Sequence, residues 1–168
     1  MIWPTDWNGI AILAFVTAER LAELVLARFN TRRLLARGAR EHGSGHYPFI
    51  FAVHAAWLIT LWVLAPGREI DPFWLALFAL LLLARFWVIA TLGPRWTTRI
   101  IVVPGEDLVK EGPYRFLNHP NYWVVIGEIA VLPLVFGLPL VALVFSVLNG
   151  AILWVRIREE NKALRNGR

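Results

Sequence analysis

Long apolar stretches divided by short arginine-rich segments constrain this chain more than any other feature. Apolar sequence runs from about Trp7 to Ala27, Pro48 to Ala65, Pro72 to Leu92 and Tyr122 to Val155. A helix crosses the hydrocarbon core of a bilayer with about 20 such residues. The last stretch is too long for one crossing, because at about 1.5 Å per residue it would extend roughly 51 Å against a core of about 30 Å. It also carries Pro133, Gly137 and Pro139, which remove a backbone donor or loosen the chain. The pattern predicts two shorter helices meeting near Gly137. The fold expected is all-α and polytopic, with five transmembrane helices, the last two a helical hairpin.

The placement of charge supports an odd number of crossings. Arg28, Arg32, Arg33, Arg37 and Arg40 fall between the first and second stretches, and Arg95, Arg99, Lys110 and Arg115 between the third and fourth. Arg156, Arg158, Lys162, Arg165 and Arg168 follow the fifth helix, whereas the opposite side receives only Arg68, beside Glu69 and Asp71. The positive-inside rule then predicts an outside N-terminus and a cytoplasmic C-terminus. Four helices would put the basic tail on the wrong side.

Composition bounds the remaining choices. The chain is 58% hydrophobic and 17% charged, which leaves too little polar surface for a soluble domain. Its net charge of +5 is gathered beside apolar runs, a pattern that suits an anionic lipid surface and not nucleic acid. Met1 to Asn8 lacks a basic region and carries Asp6, so the first helix is expected to be retained and not cleaved as a signal. The lack of cysteine excludes disulfides, thiolate metal ligands and a Cys nucleophile. Residues 1–92 are expected to supply three helices and a basic cytoplasmic loop. Residues 93–168 supply a cofactor-binding loop, the hairpin and a C-terminal helix, within one integrated domain.

Ionisable residues inside the apolar stretches need partners, since a charge at mid-membrane costs a few kcal/mol, about 3 or more. Glu19 and Glu23 are four apart on one helical face, with Arg20 beside them and Arg85 in the third stretch. Two readings stand side by side: structural pairing of these charges, or the polar wall of a substrate cavity. Glu128 has no basic residue within a helical turn and is the stronger candidate for a functional group.

The clearest chemical motif follows the third helix. Leu108-Val109-Lys110-Glu111-Gly112-Pro113-Tyr114-Arg115 leads into Asn118-His119-Pro120-Asn121-Tyr122. Gly112-Pro113 predicts a turn, and Pro120 suits the first turn of a helix. His119 then sits at the inner membrane interface, at a helix N-terminus that favours anions. Beyond the hairpin, Arg156 and Glu160 are four apart and share a face. Alone, that pair would be a surface ion pair worth about 0.3–0.5 kcal/mol, and His119 an interfacial residue satisfied by water. The hairpin changes this by returning Glu160 to the membrane face that holds His119. Rings from Tyr114 and Tyr122, an imidazole, a guanidinium and carboxylates then converge. That set suits a cofactor carrying a sulfonium, an ammonium, a carboxylate and a ribose. Other signatures are missing: Gly43-Ser44-Gly45 lacks the strand-turn-helix setting of a dinucleotide fingerprint. His42 and His46 are separated by glycines that spoil a helical metal pair, so no metal site is expected.

The stretch Leu108 to Tyr122, an uncharged hairpin and Arg156-Ile157-x-Glu159-Glu160-x-x-x-Leu164 together resemble the isoprenylcysteine carboxyl methyltransferase and phospholipid methyltransferase superfamily. With Glu19-Arg20-Leu21-Ala22-Glu23 and His46-Tyr47-Pro48-Phe49, the whole chain is similar to a short bacterial branch associated with methylating alkylpyrone-type lipids. The resemblance implies S-adenosyl-L-methionine as cofactor, held by Leu108, Val109, Lys110, Gly112, Tyr114, His119, Pro120, Tyr122 and Glu160. It implies a bacterial inner membrane location and a lipophilic small-molecule acceptor entering sideways from the bilayer, among membrane lipids. Arg95 and Arg156 are the expected guides for an anionic acceptor oxygen, and Glu128 or His119 the base for an amine. Asn118 stands where relatives usually carry Arg, and the long soluble tail of the eukaryotic enzymes is missing, which favours a small acceptor over a protein tail. The rival readings are an NADPH-dependent membrane reductase of the sterol reductase type, a lipid amine N-methyltransferase, and a non-enzymatic scaffold or transporter.

Overall fold

A computed structural model describes residues 7–166. Much of the reading of Met1 to Asn8 as a retained terminus lies outside those residues. Five α-helices follow in order: α1 (Trp7–Ala36), α2 (Tyr47–Leu64), α3 (Pro72–Leu92), α4 (Pro120–Val135) and α5 (Pro139–Asn166). Two short strands, β1 (Arg40–His42) and β2 (Ile100–Val102), pair antiparallel, with Glu41 opposite Ile101. The all-helical expectation therefore needs one correction. The α1–α2 and α3–α4 connections both run along the basic end of the bundle, and three residues from each satisfy their backbone groups by pairing with each other.

The apolar pattern placed the third helix to the residue and split the fourth stretch where the structure splits it. Gly137, at φ +63°, ends α4. Its N–H bonds Leu134 O at 3.0 Å while Leu138 N bonds Pro133 O at 3.0 Å, the paired cap that a left-handed glycine permits. At the same end of the bundle, Asp71 accepts from Phe73 N and Trp74 N to start α3, and its own N–H reaches Val135 O at 2.9 Å. The α2–α3 turn is thereby locked to the hairpin. The basic segment from Asn30 to Tyr47, expected to be partly helical, continues α1 as far as Ala36.

One core joins all five helices, with Leu13 and Val16 of α1, Trp57 and Leu61 of α2, Phe78 of α3, Leu132 and Val135 of α4 and Phe145 of α5. Helices α3 and α4 pack tightly at Gly127, where an added Cβ would lie 2.7 Å from Leu81 Cδ2. Outside the core the surface stays apolar: Phe51, Ile59, Val63, Leu80, Leu83, Leu143 and Val147 are all exposed. A surface that apolar is made for lipid. The helical segments Ser44–Leu64, Pro72–Arg95 and Pro139–Arg165 are each long and apolar enough to cross a membrane. This is an integral membrane protein.

Candidate active site

The segment between α3 and α4 is pinned before it reaches the helix it serves. Asn30, buried in α1, donates through Nδ2 to Gly93 O at 3.2 Å and to Trp96 O at 2.8 Å. Arg95 donates through Nη1 to Asp107 O at 2.8 Å and pairs with Glu106 at 3.0 Å, while Arg37 reaches Glu106 from the end of α1 at 2.5 Å. Gly112 (φ +51°) begins a 3-10 turn through Arg115, pressed against Thr91 and Trp87 of α3. Strand β2 and this loop wall a cavity of about 760 Å³ at the basic end of the bundle.

The cavity floor is a hydrogen-bonded chain. Arg156 Nε donates to the Tyr122 hydroxyl at 2.8 Å, and that hydroxyl donates to Glu160. His119 stacks on Tyr122, with centroids 5.2 Å apart and planes at 21°. Its Nδ1 lies 3.8 Å from Glu160 Oε1, and its Nε2 is 3.3 Å from Asn161 Oδ1. The sequence predicted a direct Arg156–Glu160 relation; the two are linked through Tyr122. Tyr114 faces the same space, and burial together with the nearby Glu160 carboxylate pushes its phenol well above the usual range. It is a neutral donor at any ordinary pH. Asn121 Oδ1 is buried on the cavity wall without a hydrogen-bond partner, an acceptor left for a donor of bound ligand.

Leu108, Val109, Lys110, Tyr114, His119, Tyr122, Glu160, Arg95 and Arg156 line this one cavity. Gly112 and Pro120 do not line it; the first seats the loop on α3 and the second opens α4. Sequence reasoning missed Asn121, Asn161 and the β2 wall. Asn121 stood in the quoted motif, and Asn161 follows Glu160 directly. The strands gave no signal, since three residues are too short for an alternating pattern.

Glu128 lies elsewhere, in a buried charge cluster within the bundle. Its Oε2 is 2.8 Å from Arg20 Nη2 and 3.1 Å from Arg85 Nη1. Arg85 also holds Glu23 with two nitrogens, the Nη2 bond being 2.5 Å. The structural pairing of Glu19, Arg20, Glu23 and Arg85 weighed from the sequence is thus present, and it extends to Glu128.

Residues 74–166 match the isoprenylcysteine carboxyl methyltransferase (ICMT) family. The uncharacterized protein YpbQ of Bacillus subtilis strain 168 is 40% identical over 159 residues, covering 92% of this chain and 95% of that protein. An uncharacterized Haemophilus influenzae protein is 26% identical over 157 residues, covering 90% and 91%. No solved structure matches.

Proposed function

From the premise that this chain belongs to the isoprenylcysteine carboxyl methyltransferase family of membrane methyltransferases, we propose that it transfers the methyl group of S-adenosyl-L-methionine to an acidic oxygen of a lipophilic small molecule. The observation that carries this reading is the Arg156–Tyr122–Glu160 chain on the floor of the cavity. Glu160 offers a carboxylate to an ammonium or ribose hydroxyls, and the unpartnered Asn121 oxygen accepts a further donor. The rings of His119, Tyr122 and Tyr114 suit a sulfonium. The donor set fits the cofactor, which supplies an electrophilic methyl group.

The protein's own work is positioning and the exclusion of water. Arg156 commits Nε to Tyr122, and its terminal nitrogens make no ion pair among the described residues. They are placed to orient an acceptor anion, as a planar guanidinium does well. Arg95, at the rim, is committed to Glu106 and the Asp107 carbonyl, so its effect on the acceptor runs through the loop it holds.

We read all five helices as crossings, with the C-terminus in the cytoplasm of a bacterial inner membrane. Arg20 and Glu23 of α1 are paired inside the bundle, which lowers the cost that would keep α1 out of a bilayer. Leu34, Leu92, His119 and Leu164 line one cavity, so the basic ends of α1, α3 and α5 share a face. The acceptor enters from the bilayer; an alkylpyrone-type enol is the best fit, and an isoprenylcysteine-like carboxylate comes next. Calorimetry in detergent tests the cofactor. S-adenosylhomocysteine should bind and NADPH should not; the reverse would make the chain a reductase.

A further inference from the structure

Strand β2 meets the cavity edge-on. Arg99, Ile100, Ile101, Val102 and Val103 line it in succession. Side chains alternate between the two faces of a strand, so a strand presenting a face would lend every second residue. Five in a row turn an edge toward the cavity. The edge paired with β1 is the other one, since none of Arg40–His42 lines the cavity. The N–H and C=O groups of β2 that point away from β1 therefore face the cavity. Among the described residues, no backbone group outside that pairing bonds Ile100, Ile101 or Val102. Bonding resumes on either side, where Thr97 Oγ1 donates to Arg99 O at 2.7 Å and Glu106 N to Val103 O at 3.3 Å. Backbone groups shielded from solvent are nearly always paired, and Ile100 is buried. The open edge is left for a bound molecule.

Its surroundings select that molecule. Leu34 near the end of α1, Leu92 at the end of α3 and Trp96 complete this part of the lining, and Leu34 and Trp96 are buried. Asn30 holds the Trp96 carbonyl at 2.8 Å, which fixes the wall. The side chains given above to the cofactor, His119, Tyr122 and Glu160, come instead from the start of α4 and from α5. A lipophilic reactant needs an apolar route from the hydrocarbon to the reacting atoms, and α3 supplies one: its Leu80, Leu83 and Trp87 are exposed to lipid. We propose that the open edge of β2, with Leu34, Leu92 and Trp96, is the subsite of the methyl acceptor, and that it takes a flat ring carrying a carbonyl and an acidic oxygen. This rests on the methyl-transfer reading above. A β2 N–H donates to the ring carbonyl, and the apolar side chains cover the faces of the ring. The acidic oxygen is then left to the terminal nitrogens of Arg156, which lines the same cavity. The tail leaves along α3.

Hydrogen exchange of the protein in phosphatidylcholine nanodiscs, read by mass spectrometry, tests the subsite without turnover. A long-chain hydroxypyrone should slow exchange in residues 97–104 by about tenfold or more, as amides that gain a stable hydrogen bond do. An alkylbenzene with the same tail should not, because it offers the strand no acceptor. S-adenosylhomocysteine should instead slow exchange in residues 106–122. Leu34→Ala should raise the KM of the hydroxypyrone by roughly tenfold, the worth of about two buried methylenes, and leave S-adenosylhomocysteine affinity unchanged. Protection of residues 97–104 by S-adenosylhomocysteine and not by the hydroxypyrone would give the edge to the cofactor's adenine and overturn the proposal. Equal protection by the alkylbenzene, or no protection by the hydroxypyrone, overturns it too; the wild-type exchange decides alone if the variant does not fold. Protection by the hydroxypyrone without any binding of S-adenosylhomocysteine would instead sink the methyl-transfer reading and leave the lipid subsite standing.

Discussion

A Cβ placed on Gly112 would lie 2.6 Å from Oγ1 of Thr91. The loop that walls the cavity rests on α3 at this point, and Gly112 also holds φ +51°, where a side chain costs about 1–2 kcal/mol. Gly112→Ala should therefore lower the thermal midpoint in detergent and weaken binding of S-adenosylhomocysteine. Thr91→Ala should restore the steric part and leave the backbone part. A double variant no better than Gly112→Ala would show that the close approach is relieved in another way.

Glu160 has a separable role. Glu160→Gln keeps the shape of the side chain and removes its charge. The expected loss in cofactor affinity is roughly 1.5–3 kcal/mol for a charged hydrogen bond. Tyr122→Phe breaks the link to Arg156, and His119→Ala removes the stacked ring, so both should weaken binding too. Glu159 pairs with Lys162 on the surface at 2.8 Å, and Glu159→Gln should matter little. Calorimetry on the four variants gives the order, and wild-type affinity in Glu160→Gln would remove Glu160 from the site.

The apolar runs foretold the helices because a helix that faces lipid must be apolar along a bilayer's thickness, and the residues that stop it stand out. Pro72 and Leu92 bound α3 in the apolar pattern as in the fold. The motif residues converged because the hairpin returns Glu160 to His119. What stayed hidden depends on contacts far apart in sequence. Nothing near Glu128 announces Arg20 and Arg85, which come from two other helices. Nothing in Arg40–His42 announces Ile100–Val102, since register is set only when both loops meet at the bundle end.

Arg85 shows what the cluster contributes to stability. Arg85→Ala would leave Glu23 and Glu128 buried with only Arg20, and breaking such a pairing typically costs about 3–5 kcal/mol. Chemical unfolding in detergent should register most of that loss. A change under about 1 kcal/mol would mean that water reaches the carboxylates.

Tyr114 gives a sign for alkaline pH. Its phenol titrates higher in the fold than the ordinary value of about 10. Below about pH 10 both folded and unfolded states keep the proton and stability is unaffected. Above it the unfolded chain gives up the proton first, so this group makes stability fall as pH rises. Tyr114→Phe should flatten that part of the curve, and an unchanged slope would show that Tyr114 meets water.

Topology reporters test the arrangement on which the site depends. Fusions after Arg168 and within residues 30–45 should both report the cytoplasm. An external C-terminus would leave the positive-inside reading wrong.

The acceptor is the sharpest test of the chemistry. The helices leave little mass outside the membrane for a folded protein to dock, while the apolar flanks of α3 and α5 face lipid. A tail lying along that surface contributes about 0.8 kcal/mol per buried methylene. At low concentration the rate should climb with tail length and level off once the tail outruns the helices. Arg156→Lys, which keeps the charge but loses the planar fork, should lower kcat and should disturb cofactor binding through Tyr122 far less than Arg156→Ala. Offering an alkylpyrone, a farnesylcysteine analogue and phosphatidylethanolamine to the purified protein separates the classes. The two acidic oxygens should be methylated, the alkylpyrone faster. Methylation of the amine lipid alone would show that the acceptor is nitrogen, and Arg156 would then have no anion to orient.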